Sequence, residues 1–257
     1  PLYRLVRFSL YRPNRFGTGE VYVGPSNITD VLGGEEFRDG LWITVKYLIY
    51  TVPTGLVLGL LLALVAHRRL RGIKAFQAIF ASTVATSVAV AAVVFFGLVN
   101  PKIGKFGQVS FIDLSKSDSA LRGVSLTSIW QNIGLTFVIV LAGLQAVPDQ
   151  LMEAAQLDGF GPVRRLFKVT LPLISPTLLF LVVVLMIFGF QAFAPMEILT
   201  NGDPAGSTET LVFKIFNRQG PSLISEGSVM ALGLFGLTFV VTLIQLTILN
   251  RRVHYGE

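Results

Sequence analysis

Five apolar runs, each long enough to cross a bilayer as a helix, set the architecture open to this chain. They cover about Leu41–Ala66, Ala75–Val99, Val124–Val147, Leu173–Met196 and Gly227–Leu249. A helix rises about 1.5 Å per residue, so roughly 20 apolar residues cover a hydrocarbon core of about 30 Å. In lipid the backbone must satisfy its own hydrogen bonds, which makes the helix the spanning form for such runs. Charged residues make up only 14% of the 257 residues, whereas a soluble domain carries about 25%. The expected fold is all-α: a polytopic membrane helix bundle of five complete transmembrane helices. Residues 1–257 are expected to form one transmembrane domain.

The charges then orient the bundle. The formal net charge is +6, but the bases sit in short loops between apolar runs, so no nucleic-acid partner is expected. The turn His67–Lys74, HRRLRGIK, holds four Lys or Arg in eight residues. Dense bases in a short loop mark the cytoplasmic side. The loop Asn100–Gly123 spreads four bases over 24 residues and is assigned outside. The C-terminal tail, with Arg251 and Arg252, then falls on the cytoplasmic side and the chain's first residues fall outside. Residues 11–40 are expected as an extracytoplasmic loop ending in a short amphipathic helix.

Chemistry is sparse. There is no cysteine, no GxxxxGK[ST] phosphate loop, no convincing triad and no carboxylate pair at helical spacing in a cleft-like context. No catalytic residue and no metal site is expected. His67 and His254, far apart and each near Arg, are read as interfacial residues. The spans do contain polar groups. Trp130, Gln131 and Asn132 lie in the third, and Phe190 and Gln191 close the fourth. Amides inside a span must find partners, so they face a bundle or a wet cavity. They are candidates for a substrate path, with interhelical packing as the alternative. Lys46 stands inside the first span, either snorkelling to the interface or meeting an anionic solute or a binding protein.

Pro148–Pro176, PDQLMEAAQLDGFGPVRRLFKVTLPLISP, is a polar stretch between two apolar runs. Glu153, Ala154 and Ala155 open a short helical pattern. Asp158 and Gly159 interrupt it, Pro162 restarts it, and Leu171 and Pro172 end it. Gly159 suits a point where one helix stops and another begins at an angle. Pro162 suits a first helical turn, where its missing N–H would be unpaired anyway. The residues alone allow an ordinary pair of interfacial helices.

At these spacings Glu153-Ala154-Ala155, Asp158-Gly159, Phe167 and Leu171-Pro172 resemble the EAA loop of ABC-importer permeases, with Val169 where that family usually has Ile. Asn100-Pro101 with Gly104 resembles its NP-x-x-G element. LTNGDPAGSTETL, from Leu199, resembles its LT-x-GGP…T-x-x-L segment, with Asp203 in place of the second Gly. Pro1–Leu10 resembles the end of a first span, which implies a further helix before it. Within carbohydrate-uptake permeases, SIWQN, ETLVFKIF and RRVHYG are most similar to the A-type subunits of the glycerol-3-phosphate and glycerophosphodiester branch.

The resemblance implies a permease subunit in a bacterial inner membrane, without an ATPase site of its own. It implies a homologous second permease, two ATP-binding subunits that hold ATP and Mg, and an extracytoplasmic solute-binding protein. No cofactor is implied in this chain. Glu153, Ala154, Ala155, Asp158, Gly159, Arg164 and Arg165 would couple to the ATPase. Import of a neutral sugar, or transport without ATP as a secondary transporter or channel, remain the alternatives.

Overall fold

A computed structural model describes residues 2–14, 19–67 and 72–250. Arg68, Arg69 and Arg71 of the basic turn, and Arg251, Arg252 and His254 of the tail, lie outside the described residues. The chain is built almost wholly of helices. A short helix α1 (Leu2–Leu10) leads into a two-stranded antiparallel hairpin, β1 (Tyr11–Pro13) and β2 (Glu20–Tyr22), in which Tyr11 pairs with Tyr22. Helix α2 (Ser26–Gly33) follows, as the sequence led one to expect for the end of this loop.

The spans follow the apolar runs, with extensions and breaks. Helix α3 (Glu35–Ala66) starts six residues before its apolar run, with Glu35 and Glu36 in its first turn. Acids there complement the helix dipole, which accounts for the early start. The second run is two helices, α4 (Ile73–Ala85) and α5 (Val88–Val99), interrupted at Thr86 and Ser87. Helix α6 (Ser117–Gln145) is continuous. Helix α7 (Asp149–Leu157) and helix α8 (Pro162–Leu173) form the polar loop. Helix α9 (Ser175–Phe190) is bent by 68° from α8. Two short helices, α10 (Ala194–Leu199) and α11 (Leu211–Phe216), precede α12 (Ile224–Asn250). Among the described residues, three helices are long and apolar enough to cross a membrane, and up to five spans result if each broken pair counts as one.

The residues form two compact units. The first comprises 1–50, 88–127 and 187–241; the second comprises 51–87, 128–186 and 242–257. The first packs around Tyr47, Val99, Val124, Met196 and Phe213. It is tied by Thr44, whose hydroxyl donates to the Gly40 carbonyl at 2.7 Å and accepts the Leu211 N–H at 2.9 Å. Asn27, buried, donates to the Ser9 carbonyl and to Ser225 Oγ. The second unit packs around Ala63, Phe137, Val140, Leu144, Ile174 and Leu181. There α3 and α6 approach closely through Gly55 and Gly59: an added Cβ would lie 2.4 Å from Asn132 Cβ and 2.5 Å from Thr136 Cβ respectively. Small residues at a crossing let helix backbones come together in a membrane protein.

Candidate functional site

The polar loop is two helices joined by a built corner. Helix α7 ends at Asp158, and Gly159 takes φ +74°. The Gly159 N–H donates to the Gln156 carbonyl at 3.1 Å and the Phe160 N–H to the Ala155 carbonyl at 3.0 Å. This pair of bonds is a Schellman cap, which satisfies two carbonyls left over at the helix end. Nothing lies within 4 Å of a Cβ placed on Gly159, so the demand for glycine is conformational. Gly161 then precedes Pro162, which takes the first turn of α8.

Helix α8 does not stay α-helical. Residues Leu166–Thr170 form a wide π-type turn, in which the Leu171 N–H bonds to the Leu166 carbonyl. The cause is in the sequence. Pro172 lacks an N–H and its ring collides with the carbonyl four residues before it, that of Lys168, in a regular helix. Widening the turn moves that carbonyl aside, and such turns recur at functional sites. The Thr170 hydroxyl, buried, lies 3.9 Å from Met152 Sδ and so touches α7 from α8.

The loop shows water an unusual set of side chains. Leu157 is 89% exposed, Val163 70% and Phe167 63%. Phe160 is half-buried and carries the Arg164 guanidinium 4.2 Å above its ring. Glu153, Ala154 and Asp158 are exposed, Arg165 is half-buried, and Ala155 alone of the EAA triplet packs inward. Glu153 is the fifth residue of α7. The helix thus opens four residues before Glu153, where the sequence pattern put its start, and Asp149 stands in its first turn. Val163 and Phe167, four residues apart on α8, share a helix face that their spacing signals in the sequence; Leu157 lies on α7 and Phe160 in the corner, and no helical spacing links them to that face.

The polar span residues take different places. In the second unit, Gln131 Nε2 donates to the Thr86 carbonyl at 3.1 Å, at the break between α4 and α5. Buried Asn132 donates through Nδ2 to the Thr51 carbonyl at 3.3 Å. Trp130, next to them, is half-buried. In the first unit, Phe190 is buried at the end of α9, while Gln191 is exposed. Lys46 Nζ stands 5.2 Å over the Trp42 ring, a cation–π contact.

Lys46 also lines a polar cleft of about 440 Å³ in the first unit, with Trp42, Asp39, Asp118, Glu209 and Lys214. Lys214 pairs with Glu209 at 3.0 Å. One wall is the loop after α10, where Gly202 takes φ +87° and a Cβ there would meet the Phe213 ring at 2.7 Å. The Thr200 and Thr208 hydroxyls close that loop at 2.7 Å. Asp203 needs no left-handed backbone, so it is tolerated where the resembled segment has glycine. Behind the cleft Arg218 contacts Glu36 and lies 3.9 Å from Glu226. Burial pulls its guanidinium below the ordinary value, and Glu226 opposes that shift. The cleft residues come from three separate stretches; helical spacing links Asp39 and Trp42 to Lys46 on α3, but no local spacing links these to Asp118 or to Glu209 and Lys214.

Residues 55–255 match the family described as binding-protein-dependent transport system inner membrane component. The chain is 31% identical to the sn-glycerol-3-phosphate transport system permease protein UgpA of Shigella flexneri, over 96% of this chain and 87% of that protein. In fold it is similar to a chain of a bacterial ABC transporter involved in the import of the acidic polysaccharide alginate. That match has a TM-score of 0.76 at 18% identity, over 97% of this chain and 89% of the other. A second structure, of the bacterial alginate ABC transporter in complex with an alginate pentasaccharide-bound periplasmic protein, matches with a TM-score of 0.72 at 22% identity. It covers 90% of this chain and 82% of the other. The corner at Gly159, the apolar spans and the family match agree: the chain belongs to the binding-protein-dependent transport system inner membrane components, the permeases of ABC importers.

Proposed function

We propose that this permease carries glycerol 3-phosphate or glycerophosphodiesters across a bacterial inner membrane. The observation that carries the reading is the 31% identity to UgpA over 96% of the chain. A homologous second permease completes the path, and two ATP-binding subunits, which hold ATP and Mg, drive it. An extracytoplasmic solute-binding protein delivers the solute. The basic turn, the 148–176 loop and the C-terminus face the cytoplasm, following the density of bases in short loops.

The exposed face of the loop seats in the ATPase. Leu157, Val163 and Phe167 supply apolar area, and Glu153, Asp158 and Arg164 fix the register by charge, with the half-buried Arg165 behind them. The Gly159 corner holds the two helices at a set angle, so closure of the ATPase moves them as one lever. The solute passes between the two permeases. In the second unit Trp130 lines its path, on the helix that Gln131 and Asn132 tie to the backbone at Thr86 and Thr51, and in the first unit the exposed Gln191 lines it with Phe190 behind. Lys46 receives the anion at the first unit's cleft. Neutral amides rather than buried cations along the path favour passage over capture. The test is uptake by proteoliposomes of the full complex, with labelled glycerophosphodiester against labelled disaccharide. Preference for the phosphodiester is expected. Preference for the disaccharide would replace the solute with a neutral sugar, and uptake without ATP would remove the importer mechanism.

A further inference from the structure

A second cleft, of about 410 Å³, opens in the second unit behind the 148–176 loop. That size lies within the roughly 300–1,000 Å³ of ligand sites. Its walls are apolar: Leu61, Leu64 and Val65 from α3, Leu144 at the end of α6, Val147 just beyond it, and Leu166 from the π-type turn. Along α3 the side chains of Val57, Leu58, Leu61 and Val65 are all exposed. Their spacing puts them on one stripe. Leu61 and Val65 belong to both features, so the stripe runs from the body of a spanning helix into the cleft.

The mouth of the cleft is polar. His67, Asp149 and Arg165 stand there, and Arg164 and Lys168 lie within a turn of Arg165 on the same helix. Asp149 occupies the first turn of α7, where the positive end of the helix offsets its charge. Arg165 supplies the positive charge of the lining, beside Asp149. A guanidinium presents a planar fork that grips phosphate through two N–H groups. Basic pockets at the ends of membrane helices hold phospholipid head groups.

We propose that this cleft binds an anionic phospholipid, with one acyl chain along the Val57–Val65 stripe and the phosphate at Arg165. The lipid then fills the space beneath the π-type turn and supports the loop from behind. The occupant is distinct from the transported solute, so the site stands whichever solute the permease carries.

The test is native mass spectrometry of the purified importer complex after exchange into mixed phosphatidylglycerol and phosphatidylcholine. The wild-type complex is expected to retain phosphatidylglycerol well above its share of the supply. Arg165→Gln should cut that retention about fivefold, the worth of one cation at an anionic head group, and Arg165→Lys should restore most of it. Leu64→Trp, which fills the cleft and leaves Arg165 in place, should abolish it. The same spectra report whether each complex is assembled. Retention in proportion to supply, or wild-type retention by Leu64→Trp, would overturn the proposal. So would a Leu61→Cys variant that cross-links to a partner subunit rather than to a thiol-reactive lipid.

Discussion

Asn132 on α6 and Thr51 on α3 are joined by a hydrogen bond of 3.3 Å from the side-chain amide to the backbone carbonyl. The same Asn132 receives Gly55 against its Cβ, and one turn on Thr136 receives Gly59. A polar residue that sequence alone offers to a solute is thus engaged in holding two helices at close range.

That arrangement gives the first prediction. Gly55→Ala and Gly59→Ala should each destabilise by about 1–3 kcal/mol, because a methyl has no room in the crossing. Asn132→Ala should cost less, about 0.6 kcal/mol, the typical worth of an interhelical hydrogen bond in a membrane protein. Thermal unfolding of the detergent-solubilised complex measures all three. An Asn132→Ala variant with unchanged stability and a raised KM for uptake would instead make the residue a solute contact.

The corner between α7 and α8 gives the second. Gly159→Ala meets no neighbour but must hold a left-handed backbone, at a cost of about 1–2 kcal/mol. Gly159→Pro cannot adopt φ +74° at all. Both variants should assemble. Stimulation of the ATPase by solute-loaded binding protein should weaken in the first and vanish in the second. Full stimulation in the proline variant would remove the loop from transmission.

Orientation is checked by labelling. Cysteines at Gly72, Phe160 and Gly256 should resist an impermeant thiol reagent added to intact cells, and one at Gly206 should react. Gly256 lies outside the described residues, but its side of the membrane follows from the same reading of the charges. Reaction at Phe160 from outside would reverse the topology.

Arg218 gives the fourth. It meets Glu36 and Glu226 and also donates to the Lys214 carbonyl at 3.0 Å. Arg218→Met leaves two acids without this partner. Glu36 is well exposed, so the expected loss is about 1–2 kcal/mol, below that of a fully buried pair. Faster amide hydrogen exchange at the start of α3 and in α11 is the readout. Unchanged exchange there would show that the cluster is ornamental.

The sequence made the spans and the loop legible because their signals are local. Apolar run length needs no tertiary knowledge, and Gly159 and Pro162 fix backbone conformation one residue at a time. The break at Thr86 and Ser87 was not legible, since Ala75–Val99 contains no proline and its Ser82, Thr83, Thr86 and Ser87 read in chain order as small residues that let a neighbouring helix approach. It is held in part by Gln131, 45 residues away. The same limit applies to Lys46. Its charge stood out in the run, but Asp118 and Glu209 reach its cleft only through folding. Chain order could not say which amides face a solute and which face a neighbouring carbonyl.

The π-type turn at Leu166–Thr170 has one consequence for how this loop tolerates change. It is in effect one residue more than a regular helix needs, and each residue of an α-helix turns the chain by about 100°. The wide turn absorbs that residue, since Leu171 bonds to Leu166 where a regular helix would bond the residue before it. Deleting Val169 would restore ordinary winding and leave Ile174 and Leu181 facing the core of the second unit, but it would press Pro172 against a carbonyl of its own helix again. The extra residue therefore acts as slack: it seats a proline inside the helix without turning the core-facing residues away, and a second insertion, which the turn could not absorb, would rotate them out by that angle.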